Sequence, residues 1–406
     1  MTASSLLTGL RVLDLSMYTA GPCGAMLLAD LGAEVVKVEP LGGDPTRTMH
    51  PFKEDLSLIF GSFNRNKRSV AIDLRTSGGR AVCLELAGVA DVVYNNFRPG
   101  VMERLGLSFE EVKKVNPKVV YCCLSGFGLT GPYSHRSAYD PALQGISGVM
   151  SLTGQEGAPP TKAGVPIADL GGGMFAVIAV LAALRRRDET GEPVLLDVSM
   201  LDGLVWMVSH YAALYLNLGR IAPPQGTASS NSVPYGAFRT KDGWVIIAIP
   251  SEQFWPKLCR AIERHELASD PRFDTNPHRV SHKEELLGIL NDILRTRTTK
   301  EWLGILEAHD VPCGPVNNVG QAMEDPQTIS RHMRIPVIFG SHTFEFPANP
   351  IKTVPDVQPE INKLPLLGEH TESVLRKWLG KGEEEITALA ANNIIGTGRP
   401  MVRERR

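Results

Sequence analysis

Along the first half of the chain, short apolar runs rich in Val and Ile alternate with longer segments of helical pattern. This is the arrangement expected of repeated βαβ units and a mostly parallel sheet. The runs at 10–15 (LRVLDL), 34–39 (EVVKVE), 69–74, 91–94 and 119–124 read as strands, with helices at 24–31, 79–90 and 109–115. The segment 171–187 opens on three glycines, continues as MFAVIAVLAAL and ends in Arg185, Arg186 and Arg187, cations suited to a helix C-terminus. A buried helix is expected there.

Near Leu218 the pattern changes, because NLGRIAPPQGTASSNS is rich in Pro, Gly and Ser and reads as a linker. Beyond it a second domain is expected, with a strand at 244–249 and helices at 252–262, 283–295 and 299–308. A strand at 343–346 and a helix at 384–391 follow, and the tail GRPMVRERR is expected to fray.

A chain of 406 residues exceeds what one core supports, which fits this two-part division. With 43% hydrophobic and 21% charged residues the chain is globular in composition, neither disordered nor fibrous. A net charge of -2 gives no general attraction to nucleic acid, so any polyanion must meet a local cluster of Arg and Lys. None of the six cysteines forms a C-x-x-C pair, and they read as free thiols of a reducing compartment. The N-terminus carries no secretory pattern, and the longest apolar run, 174–184, is shorter than the roughly 20 residues that span a bilayer. A cytoplasmic protein without a membrane partner is expected.

Three stretches carry candidate chemistry. SMYTAGPCG, containing Tyr18, Thr19 and Ala20, joins the first strand to the first helix but lacks the G-x-G-x-x-G order; it suits either a nucleotide-binding turn or a plain strand-to-helix turn. Polar and basic loops containing Arg65 and Asn66, then Asn96, Phe97 and Arg98, then Arg104, are read as following strands. Loops at the carboxyl ends of strands border the ligand crevice, where guanidinium groups grip phosphates; a solvated surface is the other reading. Finally, Asp169 stands ahead of the glycine-opened helix in TKAGVPIADLGGG. The helix terminus is expected to keep its carboxylate ionised and nucleophilic, and the glycine N–H groups to meet a developing oxyanion. An Asp that merely caps the helix has the same pattern.

Taken together, LRVLDLSMYTAGP, LADLGAEVVKVEP, NRNKRSVAIDL, NNFRPGVMERLGL, VVYCCLSGFGLTGPY, YDPALQGISGVMSLTG, the Asp169 segment, TGEPVLLDVSMLDG, SVPYGAFRTKDGW and LLGEHTESVL resemble the class III CoA-transferase family, also called CaiB/BaiF, over nearly the whole chain. The resemblance implies an α/β fold: a Rossmann-like large domain with a parallel sheet, formed by both chain ends (1–217 and 326–406), and a smaller α+β domain (218–325). Two subunits are expected to interlock as a homodimer. It further implies that Asp169 is the nucleophile, that Asn66, Asn96, Phe97, Arg98 and Arg104 bind CoA, and that Tyr139 and Asp140 lie near the reacting thioester. Some relatives have Arg after the V-K-V-E run where this chain has Pro40, so Arg65 or Arg136 is expected to replace it. The substrates would be an acyl-CoA and a free carboxylic acid, without a metal or tightly bound cofactor.

The implied mechanism is covalent, through an aspartyl anhydride and an aspartyl-CoA thioester. The related α-methylacyl-CoA racemases use a His where this chain has Tyr139, a poor base at neutral pH, which disfavours that alternative. A non-catalytic CoA-binding protein is the third reading. GTASSNSVPYGAFRTKDGW is similar to relatives that use succinyl-CoA with dicarboxylates, and the long Gly-rich loop of some formyl-CoA transferases is absent from the sequence.

Overall fold

The computed structural model describes residues 5–354, 356–357 and 362–398; the tail from 399 onward, expected to fray, lies outside them. Its main sheet comprises β1 (Arg11–Asp14), β2 (Glu34–Glu39), β3 (Lys67–Ile72), β4 (Val92–Asn95), β5 (Val120–Ser125), β6 (Val194–Ser199) and β7 (Ile395–Gly396), in the order 7-3-2-1-4-5-6. The first six are parallel, whereas β7 runs antiparallel to β3, pairing Ile395 with Ile72.

The central strands are apolar because both of their faces are covered. Leu13, Val36, Val70, Val93 and Tyr121 pack under α2 (Ser77–Gly88), α4 (Phe109–Val115), α9 (Thr371–Leu379) and α10 (Glu383–Ala391). Short α3 (Val101–Arg104) adds Met102 to that core. Val12, Val35, Val120 and Leu124 pack under α1 (Ala20–Asp30) and α6 (Ile167–Thr190), with α5 (Asp140–Ile146) and α7 (Met200–Met207) beside them.

Chain stretches through Met150, Lys162–Arg220 and from Ile329 onward make this first unit, while Ser151–Thr161 and Ile221–Thr328 make a second. The latter has a three-stranded antiparallel sheet of Tyr235–Arg239, Trp244–Ala248 and Cys313–Pro315. Helices Trp255–Ala261, Lys283–Leu294 and Thr299–Ala308 enclose its core of Trp255, Phe273, Leu286, Leu290 and Trp302.

Several expectations need adjustment. The first helix starts at Ala20, where the chain turns over the end of β1, and not at residue 24. β6, α5, α7, α8 (Ser209–Leu218), α9 and β7 were not expected at all. Helix 171–187 extends over Ile167–Thr190 and is buried on one side only: Ala176, Val177, Val180 and Ala183 face the sheet, while Met174, Ile178 and Leu181 are exposed. By length and composition alone α6 passes for a membrane span, but half of its apolar window is packed inside the protein, as in a core helix. All six cysteines are unpaired.

Candidate active site

The strand order reverses direction at β1 and β4, so the loops leaving their carboxyl ends diverge and open a crevice. A cavity of about 630 Å³ lies there, walled by Tyr18, Thr19 and Ala20 after β1, Asn96, Phe97 and Arg98 after β4, and Ser125 and Gly126 at the end of β5. Arg136, Tyr139, Asp169 and Met200 also stand in the wall.

The loop after β1 is held rigidly. Asn96 accepts from the Met17 amide through Oδ1 (2.9 Å) and donates to the Met17 carbonyl through Nδ2 (2.8 Å), which ties the two crevice loops together. Tyr18, next in the chain, adopts φ +66°, a strained value for a bulky residue that such bracing maintains. Below, Ser16 donates to Asp14 from both its amide (2.9 Å) and its hydroxyl (2.5 Å), and its carbonyl accepts from Lys37 Nζ (2.7 Å). Lys37 also pairs with Asp44 at 2.8 Å, and Lys67 pairs with Asp14 at 3.0 Å while donating to the Pro22 carbonyl at 3.0 Å. All four charged groups are essentially inaccessible, so these are charge-assisted bonds in a low-dielectric interior.

Asp169 stands in the first turn of α6 and not ahead of it. Burial pushes its carboxyl up to about 6, and the Asp140 charge adds to the rise. The direction of the shift is set by partial dehydration and the neighbouring carboxylate, not by the helix terminus. At neutral pH Asp169 remains largely ionised and is a stronger base than an ordinary carboxylate. Of the first-turn amides, Ile167 donates to the Val165 carbonyl (2.8 Å), Ala168 to Asp140 Oδ1 (2.8 Å) and Leu170 to the Pro166 carbonyl (3.0 Å).

The glycines that follow do not face the cavity. Gly171, Gly172 and Gly173 are buried inside α6, where their N–H groups belong to the helical ladder, which removes them as oxyanion donors. They permit close packing instead. A Cβ at Gly173 would stand 2.7 Å from the Ala20 carbonyl, and one at Gly172 would stand 2.8 Å from Met200 Cγ. α1 and α7 can approach α6 only because these positions lack side chains.

A model of CoA-transferase family III matches residues 7–371. The chain belongs to CoA-transferase family III. It is 35% identical over 96% of its length to succinyl-CoA:glutarate CoA-transferase of Homo sapiens, covering 90% of that protein. Over 85% of its length it is 39% identical to acetyl-CoA:oxalate CoA-transferase of Acetobacter aceti, covering 88% of it. A crystal structure of a CAIB/BAIF family protein from Brucella suis superposes with a TM-score of 0.85 at 35% identity, over 93% of this chain and all of that one. The protein is accordingly an enzyme, and the non-catalytic reading falls.

Not every residue expected in the site of this family III CoA-transferase is found there. Arg65 is buried, bonded to Asp30 through Nε (3.0 Å) and Nη2 (2.5 Å) and to the Pro347 carbonyl (3.0 Å). Asn66 donates to Asp30 (2.9 Å) and Asn362 (3.1 Å). Both precede β3 at the amino ends of the strands, away from the crevice, whereas the sequence had suggested a loop following a strand. Arg104 is exposed at the end of α3 and outside the cavity wall, although Val101 of the same helix lines it. Asp140 is behind the wall: besides the Ala168 amide it accepts from Gln144 Nε2 at 2.6 Å, so it positions the start of α6. Ser125, Gly126 and Ser134 line the cavity without having been singled out, and only the position of the first two after a predicted strand pointed to them.

Proposed function

We propose that this transferase moves CoA from an acyl-CoA donor such as succinyl-CoA to a free dicarboxylic acid, with Asp169 as the covalent nucleophile. Asp169 in the wall of the crevice at the strand-order switch is the observation that carries this reading. The named relatives acting on glutarate, oxalate and L-malate support the substrate class.

In the proposed sequence, an Asp169 carboxylate oxygen attacks the donor thioester carbonyl; the C–S bond breaks, giving an aspartyl–acyl anhydride and CoA thiolate. The thiolate attacks the Asp169 carbonyl, releasing the donor acid and leaving an aspartyl-CoA thioester. The acceptor carboxylate then displaces the thiolate, forming a second anhydride. The thiolate finally attacks the acceptor acyl carbon and regenerates the Asp169 carboxylate. Arg98 contributes charge to CoA binding from the cavity wall, and Arg104 does so from outside it, on the short helix whose Val101 lines the wall.

Incubation with succinyl-CoA, trapping with hydroxylamine or borohydride and peptide mass spectrometry test the reading. A modified Asp169 is expected, and an unmodified one refutes the covalent route. Exchange at the α-carbon of a chiral 2-methylacyl-CoA in deuterated water, without an acceptor acid, would instead establish racemase chemistry.

The same proposal includes an interlocked homodimer. The outward face of α6, α7 and α8 supports it: Ile178 is 62% exposed, Trp206 67% and Leu216 78%, and α8 buries no residue within the chain. A large contiguous apolar surface of this kind suits an obligate partner. Sedimentation over a wide dilution series is expected to show no monomer, and reversible dissociation would refute interlocking.

A further inference from the structure

Among the described residues, Arg98 and Arg136 are guanidinium groups in the cavity wall with no carboxylate within salt-bridge distance. They come from different places. Arg98 follows β4 at the strand-order switch, where a nucleotide's phosphates meet an open α/β sheet. Arg136 belongs to the segment that runs into Tyr139 and Asp140, and Asp140 holds the amide of Ala168, next to the nucleophile. Four residues of extended chain reach at most about 14 Å, so Arg136 stands within that distance of Asp140 and shares the cavity with Asp169.

We propose that Arg136 binds the second carboxylate of the dicarboxylic substrate and thereby selects dicarboxylic over monocarboxylic acids; this rests on the substrate reading above. Three features make Arg136 suited to that task. Its guanidinium lies 3.8 Å from the centroid of the Tyr133 ring, and Tyr133 meets Phe127 edge-on at 5.6 Å. Stacking through its face leaves the in-plane N–H groups free for a forked contact with a carboxylate. The backbone beneath is fixed as well, since the Arg136 amide donates to the Tyr133 carbonyl at 2.8 Å and Ala138 presses on Gly126, where an added Cβ would stand 2.2 Å from the Ala138 Cβ.

Charge supplies the third feature. When the acceptor enters, Asp169 is held as its uncharged CoA thioester, but the Asp140 carboxylate behind the wall still sets like charge near the reacting end of a dianion. A distal carboxylate that reaches a cation offsets that repulsion. A monocarboxylic acid has no group to place there, so Arg136 distinguishes the two by the contact it makes with one of them.

The test uses the whole enzyme with saturating succinyl-CoA. In a substituted-enzyme mechanism kcat/KM for the acceptor reports its own half-reaction alone, so effects on the donor are separated. Glutarate and pentanoate, which differ by the distal carboxylate, are compared in wild type, Arg136→Gln and Arg136→Lys, and CoA affinity is measured by calorimetry. The ratio of kcat/KM for glutarate to that for pentanoate is expected to fall about ten- to a hundred-fold in Arg136→Gln, the scale of one charged hydrogen-bonded contact, and by less in Arg136→Lys. An unchanged ratio overturns the proposal. So does a loss of CoA affinity that matches the loss with both acids, which would move Arg136 to the phosphates. A wild type that accepts pentanoate as readily as glutarate refutes the clamp and leaves the covalent reading standing. Failure to trap Asp169 removes that reading, and the clamp with it.

Discussion

Asp169→Asn is expected to abolish transfer and also to stabilise the protein at alkaline pH, because the proposed nucleophile is held in an environment that disfavours its charge. In the folded chain its carboxyl titrates near 6 against an ordinary 3.8, burial being the main cause and Asp140 the second. A group whose folded value is raised costs stability when ionised: the cost is absent below the unfolded value, grows between the two and is complete above the folded one. At 1.36 kcal/mol per pH unit the ceiling is about 3 kcal/mol. Water in the cavity screens part of this and the buried amide of Asn has its own cost, so about 1–2 kcal/mol is expected at pH 8. Asn loses no side-chain hydrogen bond, since Asp169 makes none among the described residues.

For a unit of this size that gain corresponds to a rise in melting temperature of about 2–5 °C. Thermal scans at one heating rate, at pH 8 and pH 5, measure it, with circular dichroism to confirm the fold. The gap is expected to narrow by roughly half at pH 5, where folded Asp169 in the wild type is already largely protonated. A variant that melts at or below wild type at pH 8, or a gap indifferent to pH, would refute the argument that dehydration of Asp169 underlies its raised pKa.

Gly173→Ala should reduce soluble yield and melting temperature by several degrees, because the new methyl meets the Ala20 carbonyl, which is backbone and cannot swing aside; a variant as stable as wild type would show that α1 and α6 can separate. Lys37→Met removes the partner of a buried carboxylate at Asp44, which Lys37 holds below its ordinary range against the opposing effect of burial. A loss of about 3–5 kcal/mol is expected at pH 8 and a smaller one near pH 4.5, where the orphaned carboxyl can protonate, and denaturant melts at the two pH values compare them. Arg98→Ala and Arg104→Ala should raise KM for the CoA thioester and leave kcat within a few-fold, since the phosphates are unchanged in the transition state. Steady-state kinetics would remove Arg104 from CoA binding if its KM stays unchanged.

How much was legible in the sequence depended on whether the determining force is local. The parallel sheet was readable because a strand covered on both faces is largely apolar, and 119–124 carries that requirement in its own residues. Asp169 stood out because of its ordered motif, and the fold puts it in the cavity wall. What the loops do was not readable. Arg65 and Arg136 are chemically equal in the sequence, yet one is consumed by Asp30, 35 residues away, and the other faces the cavity. The glycines after Asp169 suggested free N–H groups, but the approach of α1 and α7 assigns them to packing. β7 is too short to announce itself and becomes a strand only by pairing with β3 more than 300 residues earlier. Local patterning therefore determined which elements form, whereas burial and charge pairing, which depend on residues far apart in the chain, decided which polar groups remain free to act.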